Sequence, residues 1–180
     1  NLHAHRAVRH HLIDAGIPNV ALDYANFHDY IGILDLFCRL NGGSVETNST
    51  AKRIISQVRK LTEEAARLPS PRFAVLFVAS GGFVLESGDL NVPTMAEMLG
   101  GTNIARQESG RLKYSFEQLL IDDPDIILIN TMGDSKALQK KFTRDLISQP
   151  ELFLYMAGSR YPEAFLHLAK LLHPEKEFTL

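Results

Sequence analysis

Four of the seven histidines sit within the first eleven residues, at His3, His5, His10 and His11. Imidazoles bind a metal when they converge, which on a helix means a spacing of about four. On a helix spanning residues 1 to 15, His3 and His10 share a face but lie two turns apart, too far to hold an ion without other ligands. A solvated basic face is the simpler reading. The single cysteine, Cys38, lies in the apolar run of Ile31, Ile33, Leu34, Leu36 and Phe37. A disulfide or a cysteine-based zinc site within the chain is therefore excluded, and a buried thiol with no partner base is inert. The carboxylate pairs Glu63/Glu64 and Asp122/Asp123 are sequence neighbours, which do not converge on a substrate. Asp122 and Asp123 more simply shape the turn before Pro124. The Gly-rich stretch from Ala79 to Gly88, ASGGFVLESG, lacks both the GxGxxG spacing and the Lys-Ser/Thr of a nucleotide loop. HExxH and GxSxG are absent. Nothing in these residues demands a catalytic group.

The elements that would position a binding site are easier to read. The longest is Asn48 to Leu68, NSTAKRIISQVRKLTEEAARL. Ala51, Ile54, Ile55, Val58, Leu61, Ala65 and Leu68 recur at steps of three and four, the period of an amphipathic helix. Thr47, Asn48 or Ser49 can cap its start, and Pro69 and Pro71 stop it. Such a helix is either a stiff strut between two α/β pieces or an ordinary core helix.

Before it, residues 1–15 read as a helix ending at Gly16, and Ile17 to Leu22 (IPNVAL) as a short strand. That is half of a βαβ unit. Loops beyond strand C-termini line the ligand crevice of open α/β sheets, which places Tyr24, Asn26, Phe27 and His28 where a ligand is touched. The alternative is a plain loop with a helix cap at Asn26 or Asp29. Residues 30–40 form a further helix, closed by Asn41-Gly42-Gly43.

After it, Phe73 to Val78 suits a central strand buried on both faces. Phe83-Val84-Leu85 is a short strand or hairpin arm, and Pro93 to Leu99 a short helix ended by Gly100-Gly101. Ser115 caps a helix over Glu117 to Ile121, and a buried strand follows from Asp125 to Asn130. Met132 to Ser135 is the loop after that strand, and Lys136 to Ser148 an amphipathic helix on Leu138, Phe142 and Leu146. Tyr161 to Leu172 is a final helix with Pro162 in its first turn.

Composition bounds the class. The 180 residues carry a net charge of −2, with 45% hydrophobic and 22% charged residues, an ordinary globular profile. The near-neutral balance argues against a nucleic-acid surface. No apolar stretch approaches the ~20 residues of a membrane span. No signal peptide is visible, and the chain opens within a helical pattern, as a trimmed N-terminus would.

Several segments, in order, resemble one family. Ser115-Phe116-Glu117-Gln118-Leu119-Leu120 followed by Asp123-Pro124-Asp125-Ile126-Ile127-Leu128 resembles the "S-x-E-x-L-L … D-P-D-x-I" signature of substrate-binding proteins of ABC importers, in the class for iron-siderophore complexes, haem and cobalamin. Gly16-Ile17-Pro18 is similar to the helix-to-strand turn of that family's N-terminal lobe. Asn48 to Leu68 resembles its single interlobe helix, Met95 to Asn103 its "ELI-x-x-x-GG-x-N" turn, and Tyr161 to Pro174 its terminal "L-A-x-x-L-H-P" helix. Two parts of the family pattern are missing here. They are the first half of the N-terminal lobe and a "GRVY"-like strand between Gln149 and the terminal helix.

The resemblance implies an α/β fold of two Rossmann-like lobes joined by one long helix, with the N-terminal lobe incomplete in this chain. Residues 1–47 would be the partial N-terminal lobe, 48–68 the interlobe helix, 69–150 the C-terminal lobe, and 151–180 a terminal segment and helix. It implies a monomer outside the cytoplasmic membrane, periplasmic or lipid-anchored. Such a protein binds a small metal-chelate ligand and docks on a membrane permease, with no cofactor of its own, no resident metal and no nucleic acid. Glu117 matches the lobe-surface glutamate that pairs with permease arginines. Ligand contacts would come from Tyr24, Asn26 and Phe27 on one side of the cleft, and from Phe83, Leu90, Met132 and Arg160 on the other. Aromatic rings stack on planar ligands, and arginine holds the acidic edge of a chelate. The alternative is a Rossmann-like enzyme or cofactor-binding domain, which would need a phosphate loop and a converging acid–base pair. A sensor or scaffold on the same fold is a third reading.

Overall fold

The computed structural model describes residues 2–20, 22, 24–79, 82–105, 109–131, 147–149 and 158–180. Helix α1 (Leu2–Asp14) closes as its sequence predicts. Gly16 adopts φ 66°, and Gly16 and Ile17 donate to Ile13 and Leu12 carbonyls at 2.9 Å. This satisfies carbonyls that a helix end leaves open. His10 and His11 stand in solvent, while the side chains of His3 and His5 lie outside the described residues.

The strand expected over Ile17 to Leu22 does not form; the described part of that stretch is irregular. Ile17, Val20 and Leu22 are 50%, 69% and 38% exposed. A strand exists only by pairing, and none of the described strands pairs with this segment.

Helix α2 (Phe27–Leu40) begins at Asn26, whose side chain accepts from the His28 and Asp29 amides. Helix α3 (Ser49–Ala65) begins at Asn48, whose Oδ1 accepts from Ala51 at 3.0 Å. It is seventeen residues long, so about 25 Å, and stops three residues before the expected end. Residues before proline are pushed away from helical geometry, and here Arg67 and Leu68 close a tighter turn onto Glu64 and Ala65.

The sheet contains β1 (Arg72–Ala79), β2 (Gly82–Glu86), β3 (Thr102–Asn103), β4 (Arg111–Lys113), β5 (Ile126–Thr131) and β6 (Ile147–Gln149). Its order is β4-β2-β1-β5-β6. Strand β1 is central: β5 runs parallel on one edge, while β3 pairs with its first two residues and β2 with its last four. Ile147 and Ser148, expected at the end of a helix, are strand residues paired in parallel with Leu128 and Ile129. The cause is tertiary, since pairing along the edge of β5 decides the conformation of this short segment over its local spacing. The rest of that expected helix, with Leu138, Phe142 and Leu146, lies outside the described residues.

Two cores flank the sheet, as the strand period of two requires. Phe73, Val75 and Leu128 face α3, α4 (Asn91–Met98) and α6 (Tyr161–Leu172), whereas Ala74, Leu76, Ile127 and Ile129 face Leu119 of α5 (Phe116–Asp122). The buried stripe of α3 is Ala51, Ile54, Val58, Leu61 and Ala65, and it joins the first core. One face of α3 is thus a core face along its length, which fits a core helix and a strut between two α/β pieces alike.

Two sequence motifs acquire physical reasons. At Gly101 a Cβ would lie 2.8 Å from the Phe73 ring and 3.1 Å from the Ala96 carbonyl, so only glycine lets α4 turn against β1. Buried Asn103 then bridges strands, donating to the Glu86 carbonyl at 3.3 Å and accepting from Ala105 at 3.0 Å. In Asp123-Pro124-Asp125, Asp123 takes the left-handed conformation (φ 42°) that ends α5, and the Asp125 carboxylate accepts from the Arg72 amide at 2.7 Å. That bond sets the start of β1 beside β5. The expected turn role of Asp123 is what the backbone displays.

Candidate functional site

The starts of three helices meet on the first-core side of the sheet. Each follows a segment expected to hold a ligand residue: Asn26 before α2, Leu90 before α4 and Arg160 before α6. In α/β folds helix N-termini gather beside strand C-termini, where the ligand crevice opens. Here the contacts join them directly. Asn26 Nδ2 donates to the Asp89 carbonyl at 3.4 Å. The Tyr161 hydroxyl donates to Asn91 Oδ1 at 3.0 Å, linking the first residues of α6 and α4. The Phe27 ring packs edge-on at 4.9 Å from Tyr161 and 5.1 Å from Phe165, and Tyr30 lies 4.8 Å from Tyr161.

Orphan amides at helix starts carry partial positive charge, so this convergence favours an acidic ligand edge. Arg53 of α3 adds a cation close by, reaching the Ser159 carbonyl at 3.5 Å. The turn between β2 and α4 is firmly held. The Asp89 carboxylate accepts from the Ser87 hydroxyl, and from the Gly110 amide at 2.8 Å. The hydroxyl bond, opposed by partial burial and helped by that amide, holds its carboxyl below the usual range. Thr94 Oγ1 donates to the Gly88 carbonyl at 2.8 Å. Burial, followed by the nearby Tyr24 and Tyr30, pushes the Tyr161 hydroxyl above the usual tyrosine range. Tyr161 is therefore a neutral donor, whose hydroxyl fixes α6 on α4.

Beyond this cluster, the sheet carries an arginine on its β4 edge. Arg111 lies 3.8 Å above the Phe77 ring and reaches buried Glu86 Oε1 through Nε at 3.1 Å and Nη2 at 3.0 Å. Glu86 is 1% exposed and Arg111 about half exposed, so the arginine compensates a buried charge while one side stays open to solvent. Asn130, buried, pairs with Phe77 near the end of β5.

The sequence-predicted residues are thus placed unevenly. Tyr24, Asn26, Leu90 and Arg160 come together at the helix starts. Tyr24 is 39% exposed, and Arg160 is bound to Glu163 at 2.7 Å. Phe27 adjoins them, but its ring is 5% exposed and belongs to the core. Phe83 packs against the second core, on the other side of the sheet. Met132 lies outside the described residues. Glu117 stands apart on α5, exposed. Its own backbone amide first, and then the Ser115 hydroxyl, hold its carboxyl below the usual range. Sequence reasoning missed Asp89, Asn91, Arg111 and Tyr161. Tyr161 carried one signal, an aromatic residue immediately before the first-turn Pro162. The others depend on pairing across the fold.

No protein-family model matches the chain, and no characterised protein matches it by sequence. Solved structures do match in shape. An ABC transporter substrate-binding protein from Listeria monocytogenes superposes with a TM-score of 0.76 at 19% identity, over 94% of this chain and 73% of its own. A periplasmic heme binding protein from Pseudomonas aeruginosa gives 0.76 at 18% identity, over 95% and 69%. A periplasmic vitamin B12 binding protein from Vibrio cholerae gives 0.69 at 12% identity, over 96% and 71%. The chain therefore has the α/β fold of the substrate-binding proteins of ABC transporters, and spans about seven-tenths of the length of these three.

Proposed function

We propose that this chain is an extracytoplasmic solute-binding protein. It captures a metal chelate of the iron-siderophore, haem or cobalamin type and hands it to the permease of an ABC importer. The observation that carries the reading is the meeting of three helix starts, one from the N-terminal segment and two from the C-terminal lobe, within that fold. Such a site suits a ligand with an acidic edge, held by backbone amides and flanked by aromatic rings. Tyr24, Asn26, Leu90 and Arg160 are the proposed contacts, with Met132 and Phe83 as further candidates. Phe27 supports Asn26 from below rather than touching ligand.

Capture and release need no bond making, so the protein has no catalytic residue and no resident cofactor; the metal chelate is cargo. The protein works as a monomer, periplasmic or lipid-anchored. Closure around ligand is small in amplitude, because α2 is pinned to α4 and α6 at its start in addition to the connection through α3. Glu117 meets an arginine of the permease.

The test is a titration of the full-length protein with haem, cobalamin and a panel of ferric siderophores, followed by each ligand's own absorption. The chain has no Trp, so intrinsic fluorescence is a poor reporter. Saturable one-to-one binding of one ligand, weakened at least tenfold by Tyr24→Ala or Asn26→Ala, is expected. A folded protein that binds none of them would remove this cargo class and leave an enzyme, a sensor or a different solute, and one that copurifies with a nucleotide and turns it over would replace this reading with the Rossmann-like enzyme.

A further inference from the structure

Along the first-core face the sheet changes character at one point. In the register of β1 and β5, Phe73 lies beside Ile126, Val75 beside Leu128 and Phe77 beside Asn130. Paired neighbours point to one face, so this face is apolar as far as Leu128 and turns polar at buried Asn130. The antiparallel strands continue the row. Leu76, Leu85 and Leu112 pack in the second core, so the residues that alternate with them, Phe77, Val84, Glu86, Arg111 and Lys113, stand on the opposite face. The three helix starts meet on that face, and Phe77 lies two residues from the end of β1, where the crevice of an α/β sheet opens. Exposed Arg111 and Lys113 therefore share one side of β4, about 7 Å apart along the strand.

An arginine on an edge strand ordinarily samples many rotamers, and this one is held. Its guanidinium lies 3.8 Å over the Phe77 ring, and Glu86 Oε1 accepts from Nε and Nη2, which leaves Nη1 for another acceptor. The main chain before it is held as well. The Asp89 carboxylate accepts from the Gly110 amide at 2.8 Å, and the Gly110 carbonyl accepts from the Ser87 amide at 3.0 Å. The Asp89 carbonyl in turn accepts from Asn26 at 3.4 Å, so one turn ties the start of α2 to the strand that carries both cations. Stability alone does not call for this, since apolar residues in place of a buried ion pair are often neutral or better.

We propose that Arg111 and Lys113 form a two-point oxyanion anchor for the cargo, and that the protein therefore selects chelates with acidic groups on one edge over neutral ones. This rests on the importer reading and narrows its ligand class. A guanidinium fixed on an aromatic ring offers directed N–H donors to a carboxylate or a catecholate oxygen, and the lysine supplies a second, mobile charge beside it. Glu86 balances one of the two positive charges, so the shelf keeps a net positive charge for the ligand. A neutral chelate seated there would cover both cations without pairing them, which costs free energy and gives selectivity.

The test titrates the full chain with haem, a ferric tris-catecholate, a ferric tris-hydroxamate and cobalamin, each followed by its own absorption. The first two carry acidic groups on the chelate edge, and the last two present neutral hydroxamates or amides. Expected is binding of haem or the tris-catecholate at least tenfold tighter than of either neutral ligand. K113Q and the double variant E86Q/R111Q should each weaken that ligand roughly tenfold and leave any neutral binding unchanged. K113Q alters an exposed side chain, and E86Q/R111Q removes both charges of the pair together, so neither strands a buried charge; the unfolding midpoint separates loss of the anchor from loss of the fold. Tighter binding of the tris-hydroxamate or cobalamin would overturn the proposal while the importer reading stands. So would an undiminished preference for the acidic ligand in K113Q, or in an E86Q/R111Q protein that keeps its midpoint. Binding of none of the four would remove the importer reading and this inference with it.

Discussion

Among the described residues up to 40, eight large apolar side chains are exposed: Val8, Ile13, Ile17, Val20, Leu22, Tyr24, Phe37 and Leu40. From Ser49 onward the described residues expose only three, Leu120, Ile121 and Leu180. The two regions obey the same local rules. Both have capped helices, a glycine in the left-handed conformation at helix ends, and apolar residues at helical or strand spacing. They differ in closure. The C-terminal lobe has a sheet with helices on both faces, so each apolar stripe meets a partner. The N-terminal segment has helices and a would-be strand that pairs with none of the described strands. Helix α2 spans the boundary: its first residue, Phe27, is buried among Tyr161 and Phe165, whereas Phe37 and Leu40 near its other end stand in solvent. Local structure forms from local signals, and burial is decided by what lies opposite.

The sharpest test compares Leu61→Ala with Val20→Ser in urea unfolding. Leu61 is fully buried on α3, so its truncation should cost about 2–5 kcal/mol. Val20 is 69% exposed, and its replacement should stay within about 0.5 kcal/mol. Comparable costs at both sites would erase the distinction drawn here. Next in size, Gly101→Ala forces a Cβ against the Phe73 ring and the Ala96 carbonyl, and should cost about 1–3 kcal/mol by the same measurement.

The caps give a finer comparison. Asn48→Ala removes the bond to Ala51 at the head of a core helix and should cost about 0.5–2 kcal/mol. Asn26→Ala should fall in the same range. It should also speed amide exchange in α2 more than in β1, because the bond to Asp89 goes with it. Equal exchange in both elements would mean that α2 is held independently of its start.

The smallest effect is on pH. The Asp89 carboxyl is depressed in the folded state, chiefly by the Ser87 hydroxyl. Its contribution is therefore present above the unfolded carboxylate range and is lost as pH falls through the folded value. Asp89→Asn should lower the neutral plateau slightly and leave the acid end nearly unchanged, so that the profile of unfolding midpoint against pH flattens. A profile of unaltered shape would mean that this turn adds nothing to the closed lobe's pH dependence.

Much of this was legible beforehand. The final helix spans Tyr161 to Leu172 as its apolar spacing predicts, and the caps at Asn26 and Ser115 are seated as expected. Phe73 to Val78 is the centre of the sheet, buried from Phe73 to Leu76. Those features are periodic or local, so a short window of residues contains their cause. The errors fell where the cause is remote. Ile17 to Leu22 reads as a strand by composition, and none of the described strands pairs with it. Ile147 and Ser148 read as helix by spacing and are taken by the edge of β5. Phe27 reads as a ligand aromatic and is buried in the first core instead, while Phe83 packs partly buried against the second.

The sequence by itself determined the α/β class, the described helix limits to within a few residues, the burial of Cys38 and the exposed carboxylate of Glu117. Only the tertiary structure decided that Asn26 reaches the loop at Asp89, that Tyr161 reaches Asn91, and that Arg111 covers both Glu86 and Phe77. A helix repeats every ~3.6 residues and announces itself locally. A binding crevice joins residues 63 and 70 positions apart, and that proximity exists only once the sheet has set the register of everything packed upon it.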